Sequence, residues 1–357
     1  MNVINLLKKA VTESASDIFI VSGLAVSYRI NNVIVSEEGE LLMPTETEEY
    51  LRQIYDLADQ RDMSKLLILG DDDFSFAIPE LSRFRVSAYK QRGSFAAVIR
   101  VITFELPDPV VLGIPQQVID FGMLSKGLVL VTGPAGSGKS TTLACMVDFI
   151  NQQRHKHIIT LEDPIEYLHG HGNCIISQRE INVDTENYVT ALRASLRQSP
   201  DVILLGEMRD YETIGVAMTA AETGHLIIST LHTIGAANTI DRIIDVFPAN
   251  QQRQITVQLS MVLQAIISQQ LVPGIDGKVV PAFEIMKVTP AIRNMIRENK
   301  IPQIDGIVYS SNGEDMFSMD ASLLRLYKAG RITQETALAY ASNQEMLSKR
   351  MQKRENS

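Results

Sequence analysis

Cysteine is scarce in this chain: Cys145 and Cys174 are the two in 357 residues. They form no C-x-x-C pair, so neither a zinc site nor a disulfide scaffold is indicated, and a reducing compartment fits. The opening residues, "MNVINLLKKAV", lack the apolar stretch and cleavage site of a secretory signal. No apolar run approaches the roughly 18 residues that a membrane span needs. Any membrane role would therefore be peripheral, through a protein partner. A surplus of basic charge is missing too: 33 Lys and Arg stand against 42 Asp and Glu, a net charge of −9. Nucleic acid is bound by clustered Lys and Arg on its phosphates, so it is a disfavoured partner.

What is present suits two domains. Residues 1–105 read as a small α+β unit. "INLLKKAVTESAS" has helical spacing; "DIFIVSG", "AVSYRINNVIV", "DFSFAI" and "RFRVSAYKQRGSFAAVIRVI" alternate as strands do. "TETEEYLRQIYDLADQRDMSKLL" reads as helix, opened by Thr45 as cap with Glu48 three residues on. The acids at 71–73 read as a solvated turn. Three prolines in "ELPDPVVLGIP" mark 106–117 as a linker. From 118 to 357 the pattern is α/β: the short apolar runs "GLVLVTG", "HIITLED", "VILLGE" and "HLIISTLH" alternate with helical segments. That order predicts a parallel sheet covered on both faces. After about 235 the chain reads as mostly helical, including "NQQRQITVQLSMVLQAIISQQLV", with "KVVPAFEIMKV" as an interrupting strand.

The strongest chemical signal is "GLVLVTGPAGSGKSTT", which spaces Gly133, Gly138, Lys139 and Ser140 as G-x-x-x-x-G-K-S between a strand and a helix. The stretch Gly133, Pro134, Ala135, Gly136, Ser137, Gly138, Lys139, Ser140 and Thr141 is the expected nucleotide cradle. Its glycines let amides turn inward around phosphate, and the following helix aims its positive end at the same point. Lys139 is expected to neutralise phosphate charge and Ser140 to ligate Mg²⁺. In an open α/β sheet ligands gather at the carboxyl ends of strands. Strand ends at Gly133, Asp163, Glu207 and His232 are expected to bring the loop, the acids Glu162 and Asp163, Glu207 and an imidazole to one edge. His225, at the other end of the His232 strand, is the more ordinary histidine. Arg193 and Arg197 stand four apart and read as one solvated helix face. Arg83, Arg85, Arg92 and Arg100 are strand-borne, and spacing alone does not choose a phosphate-facing arginine among them.

The ordered set "GPAGSGKST", "ITLEDPIEY", "ALRASLRQSPDVILLGEMRD" and "GHLIISTLHT" resembles the secretion ATPase superfamily of type IV pilus and type II secretion machines. "TIDRIIDVFP" and "TPAIRNMIRENK" are similar to its pilus retraction branch. The resemblance implies a homo-hexameric ring of cytoplasmic subunits. Each would carry a PAS-like N-terminal domain and a RecA-like ATPase domain with C-terminal helices. It implies ATP and Mg²⁺ as ligands and an inner-membrane pilus platform protein of the PilC kind as partner. By position, Glu207 becomes the glutamate that polarises the attacking water, Glu162 and Asp163 the Asp box, and His232 the His box. Arg85 and Arg100 match arginines that approach the nucleotide phosphates, and Arg293 and Arg297 lie in the retraction-associated motif. Phe19 departs from the histidine often found there. Three rivals remain open at this stage: a pilus extension or secretion motor, a nucleotide-gated scaffold that hardly turns ATP over, and a DNA translocase.

Overall fold

The computed structural model describes residues 2–30, 33–102, 106–311, 313 and 315–352. The chain divides into two compact units, Met1–Glu105 with Glu166–Leu168, and Leu106–Ile165 with His169–Ser357. The expected boundary at 105 falls on residues 103–105, which lie outside the described residues, as do 31–32 within the expected strand "AVSYRINNVIV".

The first unit is built on an antiparallel sheet of order β3-β2-β1-β6-β5-β4. Its strands are β1 Asp17–Ile20, β2 Ser27–Ile30, β3 Val33–Ser36, β4 Asp71–Ile78, β5 Ser82–Gln91 and β6 Ser94–Ile102. Period-2 alternation on β5 turns Phe84, Val86 and Ala88 inward. There they meet Leu6, Leu7, Leu51 and Ile54 of the helices Val3–Thr12 and Pro44–Leu57. Two expectations are corrected. The second helix is capped at Met43, whose amide donates to the Glu46 carboxylate at 2.7 Å, because Pro44 suits the first helical position. The acids at 71–73 begin a strand, and alternation buries Asp72. Its carboxylate receives Tyr55 Oη at 3.0 Å, Arg61 Nε at 2.9 Å and Lys65 Nζ at 3.0 Å. These donors hold it below the usual carboxylate range against its burial, which pushes the other way.

In the second unit, the region expected as a linker carries a short helix, Pro109–Leu112, capped by Asp108. Beyond it lies a sheet of order β13-β12-β7-β11-β10-β8-β9. The strands are β7 Gly127–Thr132, β8 His157–Glu162, β9 Ile175–Glu180, β10 Val202–Leu205, β11 Leu226–Leu231, β12 Leu263–Pro273 and β13 Val279–Lys287. All pair in parallel except β13, which is antiparallel to β12. β7, β10 and β11 are buried along their whole length because both faces are covered. Leu128 and Leu130 face one core, with the helices Tyr211–Glu222 and Ala236–Asp245. Val129 and Val131 face the other, with the helix Lys139–Gln153.

This is a RecA-like α/β fold, preceded by an α+β domain and followed by C-terminal helices. One expected helix is corrected: "NQQRQITVQLSMVLQAIISQQLV" is helical only through Val262, and β12 begins at the next residue. Arg293 makes that abrupt change possible. Its guanidinium donates to the carbonyls of Ser260 and Met261, satisfying the last turn of the helix Ala249–Val262. β9 was not expected from the sequence either.

Candidate active site

β7 delivers Gly133, residues 133–138 form a loop, and the helix Lys139–Gln153 leaves it. Gln269 on β12 forms the loop's back wall. A Cβ at Gly133 would lie 2.2 Å from the Gln269 carbonyl oxygen, and Gly133 has φ +147°, so glycine is required there. The buried Gln269 amide oxygen also accepts from Thr142 Oγ1 at 2.7 Å, anchoring the first turn of the helix. Lys139 is buried, and its ammonium donates to the carbonyls of Gly133 and Pro134, both at 2.9 Å. Ser137 Oγ is buried with no hydrogen-bond partner. Pro134, Ala135 and Gly136 are exposed, and Ser140 and Thr141 are half-buried at the start of the helix.

Parallel pairing then sets the other strand ends beside the loop. Gly133 N donates to Leu231 O at 3.2 Å, so the end of β11, with His232 just beyond, neighbours the loop. β10 follows with Gly206 and Glu207, then β8 with Glu162 and Asp163. Glu207 Oε2 is 3.4 Å from His232 Nε2 and receives Arg209 Nε at 2.6 Å. Glu207 is largely buried while Arg209 and His232 are exposed. Glu162 Oε1 accepts from Thr160 Oγ1 at 2.6 Å and Gln178 Nε2 at 3.3 Å, whereas Asp163 is exposed.

Three residues of this region were not foreseen. Arg209 is an ionic partner of Glu207, Gln269 backs the loop, and Tyr188 packs its hydroxyl against Gly206. A Cβ built on Gly206 would sit 2.9 Å from Tyr188 Oη, so the residue before Glu207 is small because a phenol lies on it. Burial, and then the charges of Glu207, Asp163 and Glu162, push the Tyr188 phenol well above its ordinary pKa. It stays protonated beside those carboxylates.

Other expected residues of the second unit lie away from this edge. His225 precedes β11 at its opposite end, with Nδ1 3.0 Å from Ala220 O. Arg197 lies beyond the helix Tyr188–Ser195 and donates back to the Arg193 carbonyl, so the two do not form one helix face. Arg85 and Arg100 belong to the first unit. They are cross-strand partners on β5 and β6. With Asp17, Asp73, Ser87 and Val98 they line an open cavity of about 250 Å³. Arg100 Nε lies 3.4 Å from Asp17 Oδ1, and Arg29 Nε is 3.2 Å from the other oxygen.

A glycine loop between a parallel strand and a helix, flanked by strand ends bearing Glu207, His232 and Glu162, defines a P-loop nucleotide-binding protein. The family profile of the type II/IV secretion system proteins matches residues 2–353, and the chain belongs to that family of ATPases. It is 42% identical over 337 residues to the type IV pilus retraction ATPase PilT of Pseudomonas aeruginosa, covering 94% of this chain and 97% of that one. It is 48% identical over 277 residues to a twitching motility protein of Neisseria gonorrhoeae, covering 77% and 74%. A crystal structure of the pilus retraction motor PilT with bound ADP is similar to it with a TM-score of 0.89 and 43% identity, covering 98% of this chain and 99% of that chain.

Proposed function

We propose that this ATPase powers retraction of type IV pili, as a cytoplasmic homo-hexamer that acts on a PilC-like platform protein in the inner membrane. The observation that carries the reading is the adjacency of the glycine loop, His232 and Glu207 on neighbouring parallel strand ends. Similarity along nearly the whole length to a retraction ATPase supports the choice of task. Among the described residues no helix is long and apolar enough to cross a membrane, which is compatible with a peripheral station.

The residues present suit a magnesium-bound triphosphate. Ser137 offers a buried hydroxyl without a partner, and Lys139 holds an ammonium at the loop. The helix Lys139–Gln153 has no side-chain cap at its amino end. Lys139 and the amides of Ala135, Gly136 and Gly138 would hold the phosphates, and Ser140 would be the protein ligand for Mg²⁺. The metal would supply charge neutralisation on the phosphate oxygens. Glu207 orients water for in-line attack. Arg209 and His232 both engage Oε2, so Oε1 is the oxygen assigned to the water. Glu162 and Asp163 orient the water shell near the phosphates, and His232 donates toward the same region. Phosphoryl transfer rests on positioning and charge, so no covalent intermediate is needed.

The test is complementation of a piliated strain that lacks the gene, with the same variants assayed as purified protein. Glu207→Gln should lower kcat by roughly 10²-fold or more while retaining nucleotide binding. It should leave the cells piliated without twitching. Bald cells in the deletion strain would assign the motor to extension, and undiminished turnover by Glu207→Gln would remove Glu207 from the role given to it.

A further inference from the structure

Glu284 is a buried carboxylate on β13 that the proposed mechanism does not use. Burial raises its pKa, and two backbone amides oppose that rise. Those amides begin two different helices. Glu284 Oε1 accepts from Ala236 N at 3.1 Å, the first residue of the helix Ala236–Asp245. Oε2 accepts from Met319 N at 3.2 Å, the first residue of the helix Met319–Lys328. Asp305, on the helix Pro302–Ser310, has its pKa raised by burial, and the next amide, that of Ala237, opposes the rise.

The helix Ala236–Asp245 needs these distant acceptors because its own cap is Gly235, which has no side chain to serve. Four residues earlier stands His232, 3.4 Å from Glu207. The segment between is pinned at each step. Gly235 N donates to Ser268 Oγ at 3.1 Å, and that hydroxyl pairs with Thr132 Oγ1 at 2.8 Å, directly before the phosphate loop. Thr239 Oγ1 donates to Gly235 O at 2.7 Å, and Asn238 Nδ2 donates to Ile234 O at 2.9 Å.

We propose that Glu284 is a positioning residue for His232. By holding the first amide of the helix Ala236–Asp245 it fixes residues 232–235, hence the approach of the imidazole to Glu207, and it ties that approach to the C-terminal helix that starts at Met319. The inference rests on the reading of Glu207 and His232 as members of the ATPase site. Glu284→Gln is the sharp perturbation. It keeps volume and one carbonyl acceptor but turns the other oxygen into a donor that faces an amide N–H.

The experiment is a double-mutant cycle on the full chain, with kcat and KM for ATP measured for wild type, Glu284→Gln, His232→Ala and the double variant. Glu284→Gln should lower kcat by roughly tenfold, as a displaced catalytic geometry does, with KM within about twofold. The double variant should be no slower than His232→Ala by more than about twofold, because with no imidazole there is nothing left to position. Multiplying effects, or an unchanged kcat in Glu284→Gln, overturn the proposal. If His232→Ala is itself inert, the site reading fails, and the inference falls with it for a distinguishable reason. Should Glu284→Gln not fold, the same cycle with Asp305→Asn decides by the same criterion, with an expected loss of roughly threefold.

Discussion

Gly206→Ala probes why the catalytic strand carries glycine before Glu207. Gly206 has φ outside the left-handed region, so alanine meets no backbone strain there. Removing glycine should even help slightly, by roughly 0.4–1 kcal/mol, through a less disordered unfolded chain. The added methyl would stand 2.9 Å from Tyr188 Oη, with Glu162 Cα and Leu161 O both at 3.4 Å. The last two are ordinary contacts, whereas the first is too close for carbon and oxygen. Overpacking of that kind costs about 1–3 kcal/mol, so the net loss should be about 1–2 kcal/mol. Gly206 N also donates to Leu161 O and its carbonyl accepts from Thr230 Oγ1 at 2.6 Å, so displacement of the strand end moves Glu207. The turnover rate should drop with the stability. Tyr188→Phe removes the single close atom. Alanine at 206 in that background should cost little or nothing in urea denaturation, with an unchanged m value, and should regain the turnover lost by Gly206→Ala alone. Equal costs in the two backgrounds would show that the hydroxyl is not what selects glycine.

Other outcomes follow from the geometry. Arg293→Ala should cost about 1–2 kcal/mol in urea unfolding by stripping the carbonyls of Ser260 and Met261 of a charged donor. Arg297→Ala, on an exposed residue of the same motif, should stay within about 0.5 kcal/mol, and equal losses would refute the division of labour. Burial lowers the His169 pKa from 6.5 to about 4, so below pH 6.5 the unfolded chain binds a proton that the folded chain refuses. Stability should therefore be complete above pH 6.5 and fall by up to about 3 kcal/mol as the pH drops toward 4. His169→Gln should flatten that portion of the profile, and an unchanged slope would place the cause elsewhere.

The parts legible in the sequence are those whose chemistry is local. The loop at 133–138 is written in glycines that its backbone requires, and the four-residue apolar run of β10 already announces a strand covered on both faces. What escaped notice depends on partners far along the chain. β12 merges with the preceding helix in one apolar stretch, with no glycine, proline or turn between Val262 and Leu263. The atoms that end the helix belong to Arg293, about thirty residues on. Reading that stretch as helix also hid Gln269, because its role exists only once β12 lies beside β7. Asp72 looked solvated among three acids until strand alternation carried the middle one inward to Arg61 and Lys65. Glu284 shows the same limit within the proposed mechanism. On β13 it reads as one acid in an apolar strand, yet its two oxygens meet amides 48 and 35 residues away in sequence. Motif spacing identifies groups aimed at a ligand, since the ligand imposes their order on the chain. It does not identify groups that hold those residues in place, since any sufficiently near element can supply the hydrogen bond.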